Sequence, residues 1–251
     1  MIRNIKLVLE YDGSTFSGFQ RQPGKSTIQE ALEKALSSFF ARKMKISSAS
    51  GRTDTGVHAE GQVVNFRTAS ARELWQIQKG LNALLPPAIV VQSIEEVPAD
   101  FHARYSAKAK LYEYRIWNSP NRSPLLVGRT YHVPQALDLA AMRKAAKYLV
   151  GRHDFRSFTS EAQVAKGRKG VSFVRTVKKL RIGKRDSLIS IHIEADGFLF
   201  HMVRNIVGTL GEVGRGKRKP GDITTILKAK ARRFSGQTAP SEGLTLLKVR
   251  Y

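Results

Sequence analysis

The chain has 251 residues, 41% of them hydrophobic, which fits one large or two small folded domains and argues against wholesale disorder. It contains no cysteine, which excludes disulfides, thiolate zinc sites and a cysteine nucleophile. Lys plus Arg number 43 against 20 Asp plus Glu, and the net charge of +23 points to a polyanionic partner through counterion release from phosphates. No apolar run is long enough to cross a bilayer, and the opening MIRNIKLVLEYDG is unlike a signal peptide. The lack of cysteine fits a reducing cytoplasm, and a cytoplasmic protein is expected.

The charge is uneven. Residues 1–104 hold 13 basic and 10 acidic residues, whereas the remainder holds 30 and 10. An acidic membrane surface is the rival partner. No helix sets a Trp, Phe or Leu face beside a Lys face, so nucleic acid leads.

In chain order, IKLVLEYDG alternates apolar and polar residues and closes on Asp12-Gly13, predicting a strand and a turn. TIQEALEKALSSFFARK opens with a Thr27-to-Glu30 capping box and places Ile28, Leu32, Ala35, Leu36 and Phe39 on one helical face. KMKIS and GQVVNFR predict two strands flanking SASGRTDTGVHAE. A second helix is expected from Ser70, with Glu73 three residues on, ending at Pro86-Pro87. AIVVQSIEEV is a further strand. The order is strand, helix, strand, strand, helix, strand, the ferredoxin-like βαββαβ arrangement.

The pattern recurs after residue 104. KLYEYRIWN is a strand, 138–150 has helical spacing, and FVRTVKKLRIG with SLISIHIEADG forms a hairpin. A helix is expected from about Leu199 to Leu210, a basic helix around Lys228 to Arg233, and GLTLLKVRY closes the chain as a strand. The expected fold class is therefore α+β, with one half over 1–104 and a strongly basic half over 105–251. Residues 151–171 and 214–222 are polar and basic and are expected as loops.

Asp54 sits in Thr53-Asp54-Thr55-Gly56, which has turn composition, and an aspartate there often caps backbone amides. Yet Arg52 and His58 make the stretch more charged than a hairpin needs, and loops held by rigid strands commonly carry function. The six histidines, at 58, 102, 132, 153, 192 and 201, show no metal-ligand spacing. No phosphate-binding glycine loop is present either, so neither metal nor nucleotide cofactor is expected. A lone carboxylate acting as nucleophile fits what remains, provided a nearby arginine keeps it ionised. Arg204 lies in the otherwise apolar FLFHMVRNIVGTL, where a buried charge calls for an acidic mate. By alternation alone Tyr112 is a sheet-packing residue like Tyr114.

GRTDTGVHAEGQVVNF resembles the signature loop of the tRNA pseudouridine synthase A family, in its bacterial form. Further matches follow in order along the chain: YDGSTFSGFQRQP, TIQEALEKAL, FHARYSAKAKLYEYRI, HDFRSF, FVRTV, GFLFHMVRNIVGTL and TAPSEGLTLLKV. Phe19 stands where the family usually has Trp, and Thr55 where it usually has Ala, which adds a hydroxyl beside Asp54.

The resemblance implies the pseudouridine synthase fold, two tandem ferredoxin-like halves with antiparallel sheets and a central cleft. It implies a cofactor-free isomerisation of uridine to pseudouridine at positions 38, 39 and 40 of the tRNA anticodon stem-loop, by a homodimer. Asp54 would be the nucleophile, Arg204 its ion-pair partner, and Tyr112 the ring that stacks on the base and takes part in proton removal. Arg52 would help extrude the base and Leu244 would line the pocket. Charge, not the resemblance, adds Lys166, Arg168 and Lys169: the basic runs at 166–169, 178–185 and 215–219 could be solvated surface, but the +20 half favours a track for the RNA backbone. Attack at C1′, addition at C6 and a glycal route all remain open. So do two other readings: a non-catalytic, ribosome-associated RNA-binding protein, and a synthase with another RNA target.

Overall fold

Alternation over Arg3–Tyr11 makes strand β1 of the computed structural model, with Ile5, Leu7 and Leu9 wholly buried. Residues 1–160 and 172–251 are described. They divide into one unit of 1–108 with 245–251 and another of 109–244. Both are mixed α and β with mostly antiparallel sheets, so the expected α+β class holds.

In the first unit β1 is followed by α1 (Ile28–Phe39), β2 (Ser48–Ala49), β3 (His58–Thr68), α2 (Leu74–Leu84) and β4 (Ile89–Val97). β4 and β3 flank β1, both antiparallel, and β2 extends the sheet beyond β3. Ile28, Leu32 and Leu36 of α1 and Ile77 and Leu81 of α2 are buried. Each such side chain contributes about 1.5–3 kcal/mol on leaving water. The Thr27 side chain accepts from the Glu30 amide at 3.3 Å, as the capping pattern predicts. The last strand, β10 (Leu244–Arg250), runs parallel to β3 and pairs Thr245 with His58.

The second unit holds β5 (Ala109–Trp117), β6 (Tyr131–His132), α3 (Leu139–Lys147), β7 (Gly151–Asp154), β8 (Val174–Arg185), β9 (Leu188–Ala195), α4 (Met202–Gly214) and α5 (Asp222–Ala229). Its antiparallel strands run in the order β5, β9, β8, β7, with the short β6 parallel on β5. Asp186, at φ 53, turns the β8–β9 hairpin.

Several boundaries differ from expectation. KMKIS is not a strand: the Met44 amide donates to Ser37 Oγ and the Ile46 amide to Glu33 Oε1, so α1 side chains take the donors a sheet would need. α2 starts at Leu74, because Ser70 Oγ accepts from the Arg72 amide in a turn and Gln76 Oε1 accepts from the amide of Glu73. α4 begins at Met202, after His201 in a left-handed conformation at φ 61. Gly151–Asp154, expected as loop, pairs with β8, and a 3₁₀ turn over Arg156–Phe158 follows with Phe155 and Phe158 buried. The basic helix ends at Ala229, with Lys230 left-handed behind it.

Candidate active site

The Asp54 loop is built from its neighbours' backbones. At one end Gln62 on β3 donates to Gly51 O at 3.0 Å, while its side-chain oxygen accepts from Ser50 Oγ at 2.6 Å. In the middle the Thr53 hydroxyl shares a buried 2.7 Å hydrogen bond with the Tyr11 phenol at the end of β1, and the Phe19 amide donates to Thr53 O at 3.0 Å. A turn then closes from the Val57 amide to Asp54 O at 3.2 Å. At Gly13 and Gly18 the segment after β1 lies so close to this loop that a side chain is excluded. A Cβ on Gly13 would lie 2.0 Å from Val57 O, and one on Gly18, at φ +90, 2.8 Å from Thr53 O.

These constraints fix the backbone on both sides of Asp54. The residue itself is half-buried, with Arg52 and Thr55 exposed on either side. Burial pushes the Tyr11 phenol up to about 12, against the lowering effect of its hydrogen bonds to Thr53 and Gln62. It therefore stays protonated at neutral pH and serves as a strut. His58, buried at the start of β3, places Nδ1 3.2 Å from both the Gly13 amide and Asp12 Oδ1.

Tyr112, Arg204 and Leu244 belong to the second unit. Tyr112, on β5 opposite Ile193, is buried and meets Phe198 edge to face, ring centroids 5.0 Å apart. Arg204 lies in the first turn of α4, half-buried. Its Nε donates to Ala239 O at 2.7 Å, and the Ala239 amide donates back to Arg204 O at 3.1 Å. One turn further on, a Cβ at Gly208 would come within 1.7 Å of Gln237 O, so α4 and the segment 235–240 pack backbone on backbone.

A polar network holds that segment. Asn205, wholly buried, donates to Phe158 O at 2.8 Å and accepts from Thr238 Oγ1 at 2.7 Å and Arg232 Nη2 at 3.2 Å. Arg232 also reaches Ser235 Oγ at 2.8 Å, and that hydroxyl lies 2.7 Å from Ser157 O. The fully buried Tyr114 donates to Pro240 O at 2.7 Å. Burial, then the nearby Glu242 carboxylate, push its phenol far above the usual range. Glu212 Oε1 accepts from the Gln237 amide at 3.1 Å, and Oε2 from Arg218. Burial would raise that carboxyl. The hydrogen bonds from Arg218 and Gln237 and the charges of Arg218 and Arg215 hold it below its ordinary value instead.

The same segment ends at Leu244, buried at the start of β10, so Arg204 and Leu244 are positioned by one stretch of chain. Lys166, Arg168 and Lys169 lie outside the described residues. Among the described residues no three His, Asp or Glu gather to hold a metal, and no helix is long and apolar enough to cross a membrane.

Tyr11, Gln62 and Asn205 escaped the sequence reading, although each is a polar side chain at a buried position of a strongly periodic element. Gln62 and Asn65 interrupt GQVVNF, and Asn205 follows Arg204 within an apolar helix. Buried polar groups need partners, and that is the signal that would have found them.

Residues 7–106 and 145–251 match the family described as tRNA pseudouridine synthase. A protein named tRNA pseudouridine synthase A from Acetivibrio thermocellus is 44% identical over 250 residues, covering 100% of each chain. One of the same name from Geobacillus kaustophilus is 44% identical over 251 residues, covering 100% of this chain and 95% of its own. A third, from Syntrophotalea carbinolica, is 42% identical over 247 residues, covering 98% and 96%.

Proposed function

We propose, from the premise that the chain belongs to the tRNA pseudouridine synthase family and so isomerises uridine to pseudouridine in tRNA, that Asp54 is its nucleophile and the anticodon stem-loop its target. The reaction breaks N1–C1′, turns the uracil and rejoins it through C5, releasing the C5 proton. Nothing is oxidised or reduced, so no cofactor is called for.

The observation that carries this reading is the clamped loop around Asp54. A nucleophile must be held within a fraction of an ångström of its productive geometry, and this backbone is pinned at Gly51, Thr53 and Val57 by β1, β3 and the 12–19 segment. Arg204 is the cation that neutralises Asp54. Tyr112 stacks on the uracil and assists proton removal from C5, Arg52 helps extrude the base, and Leu244 lines its pocket. Extrusion costs a few kcal/mol, of which one aromatic stack recovers about 1–3.

Residues 105–251, net +20, form the half that grips the RNA backbone, with Lys166, Arg168 and Lys169 among its contacts. The working form is a cytoplasmic homodimer, and its uridines are those at positions 38, 39 and 40. The test uses unmodified tRNA transcripts carrying uridine at those positions, with pseudouridine mapped after incubation. Conversion there supports the reading, and conversion elsewhere alone assigns a different RNA target. Binding without conversion leaves the non-catalytic alternative.

A further inference from the structure

The segment after β4 carries an aromatic side chain that neither the core nor the roles above account for. Tyr105 is 78% exposed, yet its surroundings are tightly built. Its ring stacks on His102, centroids 4.4 Å apart and planes 29° apart, and the Arg104 guanidinium lies 5.7 Å from the ring centroid. His102 is fixed in turn, because its Nδ1 accepts from the amides of Arg104 at 3.2 Å and Tyr105 at 3.3 Å. Its own amide donates to Ser106 Oγ at 3.1 Å.

The loop beneath is anchored to the sheet. The Ala103 amide donates to Ser48 Oγ at 2.9 Å and Asn65 Oδ1 at 3.2 Å, and Ala103 O accepts from the Tyr251 phenol at 2.8 Å. Asn4 Nδ2 donates to Pro98 O and Phe101 O, both at 3.0 Å. Lys6 sits over the rings of Phe101 and Tyr251 at 5.8 and 5.2 Å. An exposed ring on a loop this well tied loses little freedom on binding.

The charge is right for RNA. FHARYSAK (101–108) contains Arg104 and Lys108 and no acid, and the Lys108 amide donates to the carbonyl of the exposed Arg250 at 2.8 Å. Asn65, which holds this loop, lies three residues along β3 from Gln62, which holds the Asp54 loop, a rise of roughly 10 Å at ~3.3 Å per residue. With the β3 register unbroken between them, residues three apart also face opposite sides of the sheet, so the two loops are held from different faces, which suits a base other than the reacting one.

We infer that Tyr105, backed by His102 and flanked by Arg104, is a stacking platform for an unstacked nucleobase of the tRNA other than the uridine that is isomerised. The inference rests on tRNA being the substrate. An aromatic stack contributes about 1–3 kcal/mol per base, roughly 5- to 150-fold in affinity at 1.4 kcal/mol per tenfold.

The experiment measures binding of an unmodified tRNA transcript at fixed salt by wild type and by Tyr105→Ala, Tyr105→Leu, Tyr105→Phe and Tyr105→Trp. The platform predicts affinity weakened about tenfold in the Ala and Leu variants and retained within about twofold in Phe and Trp, with melting temperatures alike. It also predicts an unchanged salt slope for Tyr105→Ala, whereas Arg104→Ala loses about one unit of slope if it meets a phosphate. Unchanged affinity in Tyr105→Ala overturns the inference, as does a loss in Tyr105→Phe as large as in Tyr105→Ala, which would assign the effect to the hydroxyl. Turnover by wild type is followed on the same RNA. Its absence together with a Tyr105→Ala binding defect contradicts the isomerase reading and leaves the platform standing. Turnover without that defect does the reverse.

Discussion

Tyr11 illustrates how much of the site is support. Its phenol is buried, stays protonated through neutral pH and spends its hydrogen bond on Thr53, next to Asp54. Removing it in Tyr11→Phe leaves the Thr53 hydroxyl without its 2.7 Å partner, at a cost of about 1–3 kcal/mol for an unsatisfied buried group. The expected outcome is a melting temperature lowered by several degrees and a kcat reduced with KM unchanged, read from thermal unfolding and steady-state tritium release. A change confined to KM would contradict the strut. Arg204→Met, by contrast, is expected to lower kcat by at least about tenfold while leaving tRNA binding within about twofold, because the role proposed for it is to neutralise the aspartate and not to meet a phosphate.

At the scale of elements, each unit depends on backbones that touch within it. Gly13, Gly18 and Gly208 stand where a methyl group would collide with a carbonyl oxygen or carbon. Gly208→Ala would drive α4 away from the 235–240 segment that Arg204 holds through Ala239. It is expected to destabilise the protein by about 1–3 kcal/mol, as overpacking does, measurable by denaturant unfolding. Glu212 gives the same segment a pH dependence. Its folded-state value lies below the ordinary 4.5, so the stability it contributes is complete above that value and is lost as pH falls through the lower one. Glu212→Gln should therefore narrow the stability difference between pH 6 and pH 3 relative to wild type. An unchanged difference would show that the Arg218 and Gln237 contacts do not bear on folding.

At the scale of the whole molecule, charge sets the partner. With +20 concentrated after residue 104, tRNA affinity should fall at least about tenfold between 50 and 200 mM salt, since each phosphate contact adds close to one unit of slope. The class and most elements were legible from periodicity. Ile5, Leu7 and Leu9 alternate, and Thr27 announces α1. What escaped was decided by side chains capturing backbone donors: Glu33 and Ser37 for KMKIS, Ser70 at the start of α2. The Asp54 loop stood out through its motif and charge. Its supports did not, because Tyr11 reads as one more apolar position on β1 and Gln62 as an interruption of β3, and only the fold brings them to Thr53 and Gly51.

The most direct test of Asp54 as nucleophile is tritium release from tRNA labelled at uridine C5, with wild type and Asp54→Asn compared at equal tRNA occupancy. Wild type should release tritium to completion, and the variant should bind equally yet release it below about a thousandth of that rate. Release by Asp54→Asn at a comparable rate would contradict the account, as would its absence in wild type bound to the RNA.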